Sequence, residues 1–175
     1  MIGKVEGEEW VEVRQLKGNF VGKEVSSIIF SSFHSLIGFV MGCSVYLLDY
    51  EQFRIVSRFN FRSENRPTSI CFANGLELLV VGTAGGDVYV FEIRGEGEEW
   101  LKLKIGTSFK GQISHVLVDL QCRKIFKKIS LDCLTLYYTT GSGKICSVDL
   151  TEELRNIPFK TKKTNHFCNP HRQVR

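Results

Sequence analysis

Residues 67–92 read Pro67-Thr-Ser-Ile-Cys-Phe-Ala-Asn-Gly-Leu-Glu-Leu-Leu-Val-Val-Gly-Thr-Ala-Gly-Gly-Asp-Val-Tyr-Val-Phe-Glu92. The stretch holds three short apolar runs: Thr68–Phe72, Leu76–Gly82 and Val88–Ile93. Runs of this length, rich in Val, Ile and aromatic residues and bounded by turn residues, are strand patterns. Ala84-Gly-Gly-Asp87 separates the last two, and its glycines supply the positive φ that a tight hairpin turn needs. Nearly every position of Val88–Ile93 is apolar or aromatic. Such a strand is expected to be covered on both faces.

The pattern recurs to either side. Glu-Gly-Glu-Glu-Trp occurs at 6–10 and again at 96–100, a separation of 90 residues, and similar alternating residues follow each copy. Ser27, Ser69 and Ser114 open comparable apolar runs at spacings of 42 and 45. That spacing is the length of one four-stranded propeller blade, so the longer repeat is two blades. The first unit is read as strands Val25–Ser31, Leu36–Met41, Val45–Asp49 and Arg54–Phe61. The second is Thr68–Phe72, Leu76–Gly82, Val88–Ile93 and Trp100–Ile105. The third is Gln112–Asp119, Leu134–Thr139 and Lys144–Asp149, with Leu154–Phe159 as a candidate fourth strand. Trp10–Leu16 is expected to be the outermost strand of a preceding blade. The turn signals are Met41-Gly-Cys-Ser44, Gly85-Gly86-Asp87 and Gly141-Ser-Gly143. Gln121–Cys133 stretches the third unit and carries Arg123, Lys124, Lys127 and Lys128. It is read as a basic surface loop and candidate partner contact, with a short helix through Ile125, Phe126 and Ile129 as the alternative.

With these residues in place, the chain resembles the WD-repeat (WD40-like) family over about residues 6–155. Asp87 stands where that family often has an aspartate before its third strand. Tyr46-Leu-Leu-Asp49 is similar to the Trp-Asp ending with Leu48 in place of Trp, and Ser147-Val-Asp149 is a weaker form. The Gly-His dipeptide is missing, because Gln112 follows Gly111. A narrower resemblance is to the N-terminal propeller of the Rod (rough deal) kinetochore family. It is carried by Ser44–Asp49, Leu78–Gly82 with Gly86–Tyr89, and Leu136–Gly143 with Cys146. That likeness implies a Zwilch-like partner and a role at mitotic kinetochores in the spindle checkpoint. A generic WD scaffold in another cytoplasmic or nuclear complex, such as a vesicle-tethering complex, is the alternative.

Composition narrows the class further. The net charge of +4 is uneven, because six bases and no acid follow Glu153, which leaves −2 on residues 1–153. No basic stripe with interleaved aromatics crosses the body, so nucleic-acid binding is not expected. The six cysteines form no CxxC pair, and no apolar leader precedes them, so reduced thiols in the cytosol or nucleus are expected. Val25–Leu48 carries no charge over a length that could span a bilayer. Its six serines and His34 are costly in lipid, so it is read as strands of the repeat rather than a membrane segment.

No motif points to chemistry. His166, Cys168 and His171 are zinc-ligand types, but a structural site needs four ligands and no second pair lies nearby. Gly82–Asp87 lacks the Lys-Ser/Thr of a phosphate loop. A Gly-x-Ser-x-Gly elbow is absent, and His34 and His115 fall on predicted strands. Lys160-Thr-Lys-Lys163 is a short basic run of the kind that serves in nuclear import and is also common in solvated tails.

The expectation is therefore an all-β chain. Residues 1–155 form a partial propeller of about three four-stranded antiparallel blades, and 156–175 form a basic, disordered tail. It is expected to be a protein-binding scaffold with no catalytic site, no cofactor, no metal and no small-molecule substrate. Asp49, Gly85, Gly86, Asp87, Gly141 and Gly143 are read as structural turn residues. Three blades do not close a ring of four to eight. Such a chain is read as a fragment, a shortened form, or one part of a split propeller.

Overall fold

The computed structural model describes residues 2–6, 9–14, 24–73, 76–94, 98–106, 111–125 and 128–152. The described side chains are those of 24–73, 76–93, 103–106, 111–119 and 133–152. Thirteen strands are described, and every strand pair is antiparallel. A two-stranded sheet joins β1 (Ile2–Glu6) and β2 (Glu9–Arg14). The first four-stranded sheet runs β3 (Val25–Ser31), β4 (Leu36–Met41), β5 (Ser44–Asp49), β6 (Arg54–Asn60). The second runs β7 (Pro67–Ala73), β8 (Leu78–Thr83), β9 (Asp87–Arg94), β10 (Glu98–Gly106). The third runs β11 (Ile113–Ile125), β12 (Lys128–Thr140), β13 (Ile145–Asp149). In each sheet the strands lie in sequence order, as in a propeller blade. The uncharged segment Val25–Leu48 forms β3, β4 and β5. Among the described residues no helix is long and apolar enough to cross a membrane.

Burial along the strands shows how the sheets stack. All six residues of β8 are buried because both of its faces are covered. Leu79 and Val81 pack with Val40, Val45, Leu47 and Phe59 of the first sheet. Leu78 and Val80 pack with Ile113, Leu134 and Leu136 of the third. The near-continuous apolar sequence of the second unit is thus the signature of a sheet between two others. β13 shows the opposite: Cys146 and Val148 are half-buried, while Ile145, Ser147 and Asp149 are exposed. The outer sheets therefore each keep open apolar surface. Ile28 and Phe30 are 68% and 58% exposed at one end, and Leu117 and Ile145 are 61% and 78% exposed at the other.

The repeat is visible in the backbone register. Each inner strand carries a β-bulge near its start, between Val25 and Ser27, Pro67 and Ser69, and Ile113 and His115. The ladder therefore aligns Ser27 and Ser69 with His115, one residue beyond the Ser114 of the sequence alignment. Gly42, Gly86 and Gly143 recur in the three turns between second and third strands, with φ of 60°, 89° and 80°. L-residues rarely adopt that conformation.

Two other expectations need correction. The described residues of Gln121–Cys133 form neither a surface loop nor a helix: β11 and β12 continue pairing through Arg123↔Ser130, Lys124↔Ile129 and Ile125↔Lys128. His34 lies in the turn 32–35 rather than on a strand. Its Nε2–H donates to the Leu76 carbonyl at 2.8 Å, and its Nδ1 accepts from the Ser31 hydroxyl at 2.7 Å, so the ring ties the first sheet to the second. The strand expected over Trp10–Leu16 is present as β2, described from Glu9 to Arg14 and paired with β1, while residues 15 and 16 lie outside the described residues. The candidate strand Leu154–Phe159 and the tail 156–175 lie outside the described residues.

Close approach between sheets gives a test. A Cβ on Gly82 would stand 2.5 Å from Ile113 Cγ2 and 2.7 Å from Ser69 Oγ. Gly82→Ala is expected to cost about 1–3 kcal/mol in urea denaturation, through overpacking at this contact. Gly141→Ala, whose Cβ would meet nothing nearer than the Gln112 carbonyl oxygen at 3.7 Å, should stay within about 0.5 kcal/mol of the parent. Equal effects would contradict this packing.

Candidate functional site

The inner strands β3, β7 and β11 all begin at the same end of the stack, and loops converge there. They enclose an open cleft of ≈ 520 Å³. Glu24 and Ser26 come from the first sheet, with Gly42 of its turn. Arg66, Pro67 and Thr68 come from the second sheet and Gln112 from the third. Pro67 is the first residue of its strand, where its missing N–H is tolerated. Thr68 occupies the bulge, and its hydroxyl donates to the Ile113 carbonyl of the next sheet. The Ala84 and Gly141 amides donate to the Arg66 and Gln112 carbonyls at 2.9 and 2.8 Å, bracing each rim loop against the adjoining turn. Glu24 and Arg66 place one acid and one base on the rim, both exposed.

In the loop 61–66 between β6 and β7, the Asn65 side chain grips the turn between β8 and β9. Its Oδ1 accepts from the Gly85 amide at 3.1 Å. Its Nδ2 donates to Asp87 Oδ2 at 3.0 Å and to the Tyr89 hydroxyl oxygen at 2.8 Å. A Cβ on Gly85 would stand 2.4 Å from Asn65 Oδ1, so only glycine permits this approach. Lys104 Nζ lies 2.8 Å from Asp87 Oδ2 and 5.5 Å from the centre of the Tyr89 ring. The hydrogen bond to Asp87, followed by that to Tyr89, raises the Lys104 pKa above its usual value. The Asp87 carboxylate thus acts as a brace whose charge Lys104 balances.

The predicted residues divide by location. Gly85, Gly86 and Asp87 sit in the turn that Asn65 grips. Gly141 and Gly143 sit in the matching turn of the third sheet, at the same end. Asp49 is at the opposite end, where its Oδ1 accepts from the amides of Glu51 and Gln52, both at 2.9 Å. Asp149 accepts from the Thr151 amide in the same way at 2.9 Å. Arg123, Lys124 and Lys128 lie on the far part of the β11–β12 hairpin, also at the opposite end, and Lys127 is outside the described residues. The structure therefore does not bring the basic residues to the cleft. Asn65, Lys104, Arg66 and Thr68 emerge from the structure alone. Asn65 precedes its strand by two residues, and its spacing to Asp87 was the only available signal.

Among the described residues, the groups on the cleft rim can offer hydrogen bonds and charge to a partner. Ser31 and His34 form a close hydroxyl–imidazole pair, but Ser31 is 2% exposed and the ring's other nitrogen is turned to a carbonyl. A nucleophile needs access to substrate and a base oriented for the task. His115 is exposed on β11. The described cysteines, Cys43, Cys71, Cys133 and Cys146, are free thiols. Burial pushes the Cys71 thiol pKa up, which keeps it protonated and unreactive. Among the described residues no group of three or more His, Cys, Asp or Glu could hold a metal ion. His166, Cys168 and His171 lie outside them.

Stacked antiparallel sheets, two of four strands and one of three described strands, with recurring turns define a sector of a WD40-like β-propeller. Saccharomyces cerevisiae Sqt1, a WD40 protein, superposes on it with a TM-score of 0.52 at 20% sequence identity. The match covers 71% of this chain and 31% of Sqt1, so the chain spans under a third of that protein. At this identity the likeness establishes the fold alone. No protein-family model and no curated protein matches the sequence.

Asn65→Ala removes three hydrogen bonds while leaving the hydrophobic clusters untouched. It is expected to lower stability by about 1–3 kcal/mol and to speed hydrogen exchange at the Gly85 amide. Unchanged exchange at that amide would show that the loop is held by something else.

Proposed function

We propose that this chain is a sector of a non-catalytic propeller that binds protein partners through the end carrying the cleft. The observation that carries the reading is the convergence of loops from three sheets on one rigid frame around that cleft. Loops on such a frame are the usual place for recognition. The basic residues Arg123, Lys124 and Lys128 at the other end, with Lys127 beside them in sequence, supply a second candidate contact suited to an acidic partner surface. The open apolar faces at the two ends of the stack fit further blades, from this chain's longer context or from a partner, because ring closure buries such faces.

The narrower proposal follows the resemblance to the Rod family. It assigns a Zwilch-like partner and work at mitotic kinetochores, in a cytoplasmic or nuclear setting. The alternative is a scaffold of the same kind in another complex, such as a vesicle tether.

Affinity purification of the tagged chain from mitotic cells, with mass spectrometry, separates these. Recovery of a Zwilch-like protein supports the kinetochore assignment. A different defined complex keeps the scaffold and removes the kinetochore. Recovery of chaperones alone contradicts both. Arg66→Glu, at the exposed cleft rim, is expected to reduce recovery of a cleft-bound partner about tenfold.

A further inference from the structure

A second recess lies on the other side of the Phe61–Arg66 loop from the cleft. Its volume is ≈ 260 Å³, and it is lined by Asn60, Phe61, Arg62 and Asn65 together with Tyr89 and Phe91 of β9. Pockets that hold whole small ligands run from about 300 to 1,000 Å³. This one is sized for a single large side chain.

Its interior is aromatic. Phe61 meets Tyr89 and Phe91 edge-on, with ring centroids 5.4 and 5.9 Å apart. Tyr89 and Phe91 lie nearly parallel at 6.1 Å. Phe91 is anchored from below by the buried Phe59 at 4.7 Å, and Tyr89 by its bond from Asn65. The walls are therefore fixed before any guest arrives, which lowers the ordering cost of binding.

The charges around it select the guest. The Asp87 carboxylate, bonded to Asn65 and Tyr89 of the lining, is balanced by Lys104 at 2.8 Å. Arg62 reaches Glu64 only at 4.0 Å, with both side chains largely exposed, a pair that holds little. Arg66 lies on the same loop. A cation is the common guest of an aromatic cage, but here it would enter beside Lys104 and Arg62 and be repelled. An apolar ring with neighbouring carboxylates satisfies both features, since the ring packs on the aromatic walls and the carboxylates reach Arg62.

We propose that this recess is a specificity subsite for a partner segment that presents an aromatic or large apolar side chain flanked by acidic residues. The proposal rests on the protein-interaction reading of this end of the fold.

The test is fluorescence anisotropy with a labelled Asp-Glu-Phe-Glu-Asp peptide, titrated with the full chain. Peptides with Ala at the centre, or with Lys in place of the acids, serve as comparisons. The Phe-centred acidic peptide is expected to bind at least about tenfold more tightly than either, with affinity falling as salt rises. Arg62→Glu should weaken it about tenfold, and Phe61→Ala should abolish the preference for Phe over Ala. The Arg62 side chain is 88% exposed, so its variant keeps the fold and the test stands even where Phe61→Ala does not fold. Absence of binding, equal binding of the three peptides, or indifference to Arg62→Glu would overturn the subsite. Partners captured equally by the parent chain and Arg62→Glu would remove the subsite and leave the interaction reading intact. Failure of the parent chain to capture any partner would remove the reading itself.

Discussion

The structure depends on a sheet that is covered on both faces. Leu79 and Val81 on one side of β8, and Leu78 and Val80 on the other, are each at most 2% exposed. A fully buried aliphatic side chain contributes about 1.5–3 kcal/mol. Four of them on one short strand make the second sheet the keystone of the stack. The first and third sheets each gain a buried face by packing against it. His34 and Thr68 then fix the stack at its two ends, through hydrogen bonds to Leu76 and Ile113 in the adjoining sheets. The rim loops around the cleft inherit their rigidity from this packing.

The same constraint explains what the sequence disclosed. Strands buried on both faces read as continuous apolar runs, and their turns need glycine, so β7, β8 and β9 could be placed to within a residue or two. The first unit was as clear, because Leu36–Met41 and Ser44–Asp49 share that character. The third unit was harder. Its strands have one open face, so its apolar pattern is diluted. Four cations in Gln121–Cys133 resembled a solvated loop, whereas backbone pairing continues through Arg123, Lys124 and Lys128. The shift from Ser114 to His115 has a similar origin: a bulge adds one residue to the strand, and periodicity alone does not reveal it.

The candidate site was less legible than the fold. Gly85, Gly86 and Asp87 were visible as a turn, but the use made of that turn was not. Asn65 stands 22 residues before Asp87, and nothing in its immediate neighbourhood marks it as the clamp. Phe61 was placed at the end of a strand and Arg62 was not assigned, and only the fold, which brings both beside Tyr89 and Phe91, gives them a shared surface. The basic hairpin shows the reverse case, since its composition was conspicuous yet the fold carries it to the opposite end from the cleft. Recognition sites on propellers are assembled from several loops, and local sequence pattern carries little of that juxtaposition.

The central claim is that three sheets stack face to face in sequence order. Nuclear Overhauser contacts between sheets test it most directly. A Cβ on Gly38 would lie 3.2 Å from Ile70 Cδ1, and one on Gly82 would lie 2.5 Å from Ile113 Cγ2. The stack therefore predicts strong contacts from the Gly38 Hα protons to the Ile70 methyl and from the Gly82 Hα protons to the Ile113 methyl. Finding both would establish the order first–second–third. Their absence, in a chain whose hairpin contacts within each sheet are intact, would contradict the stacked sector.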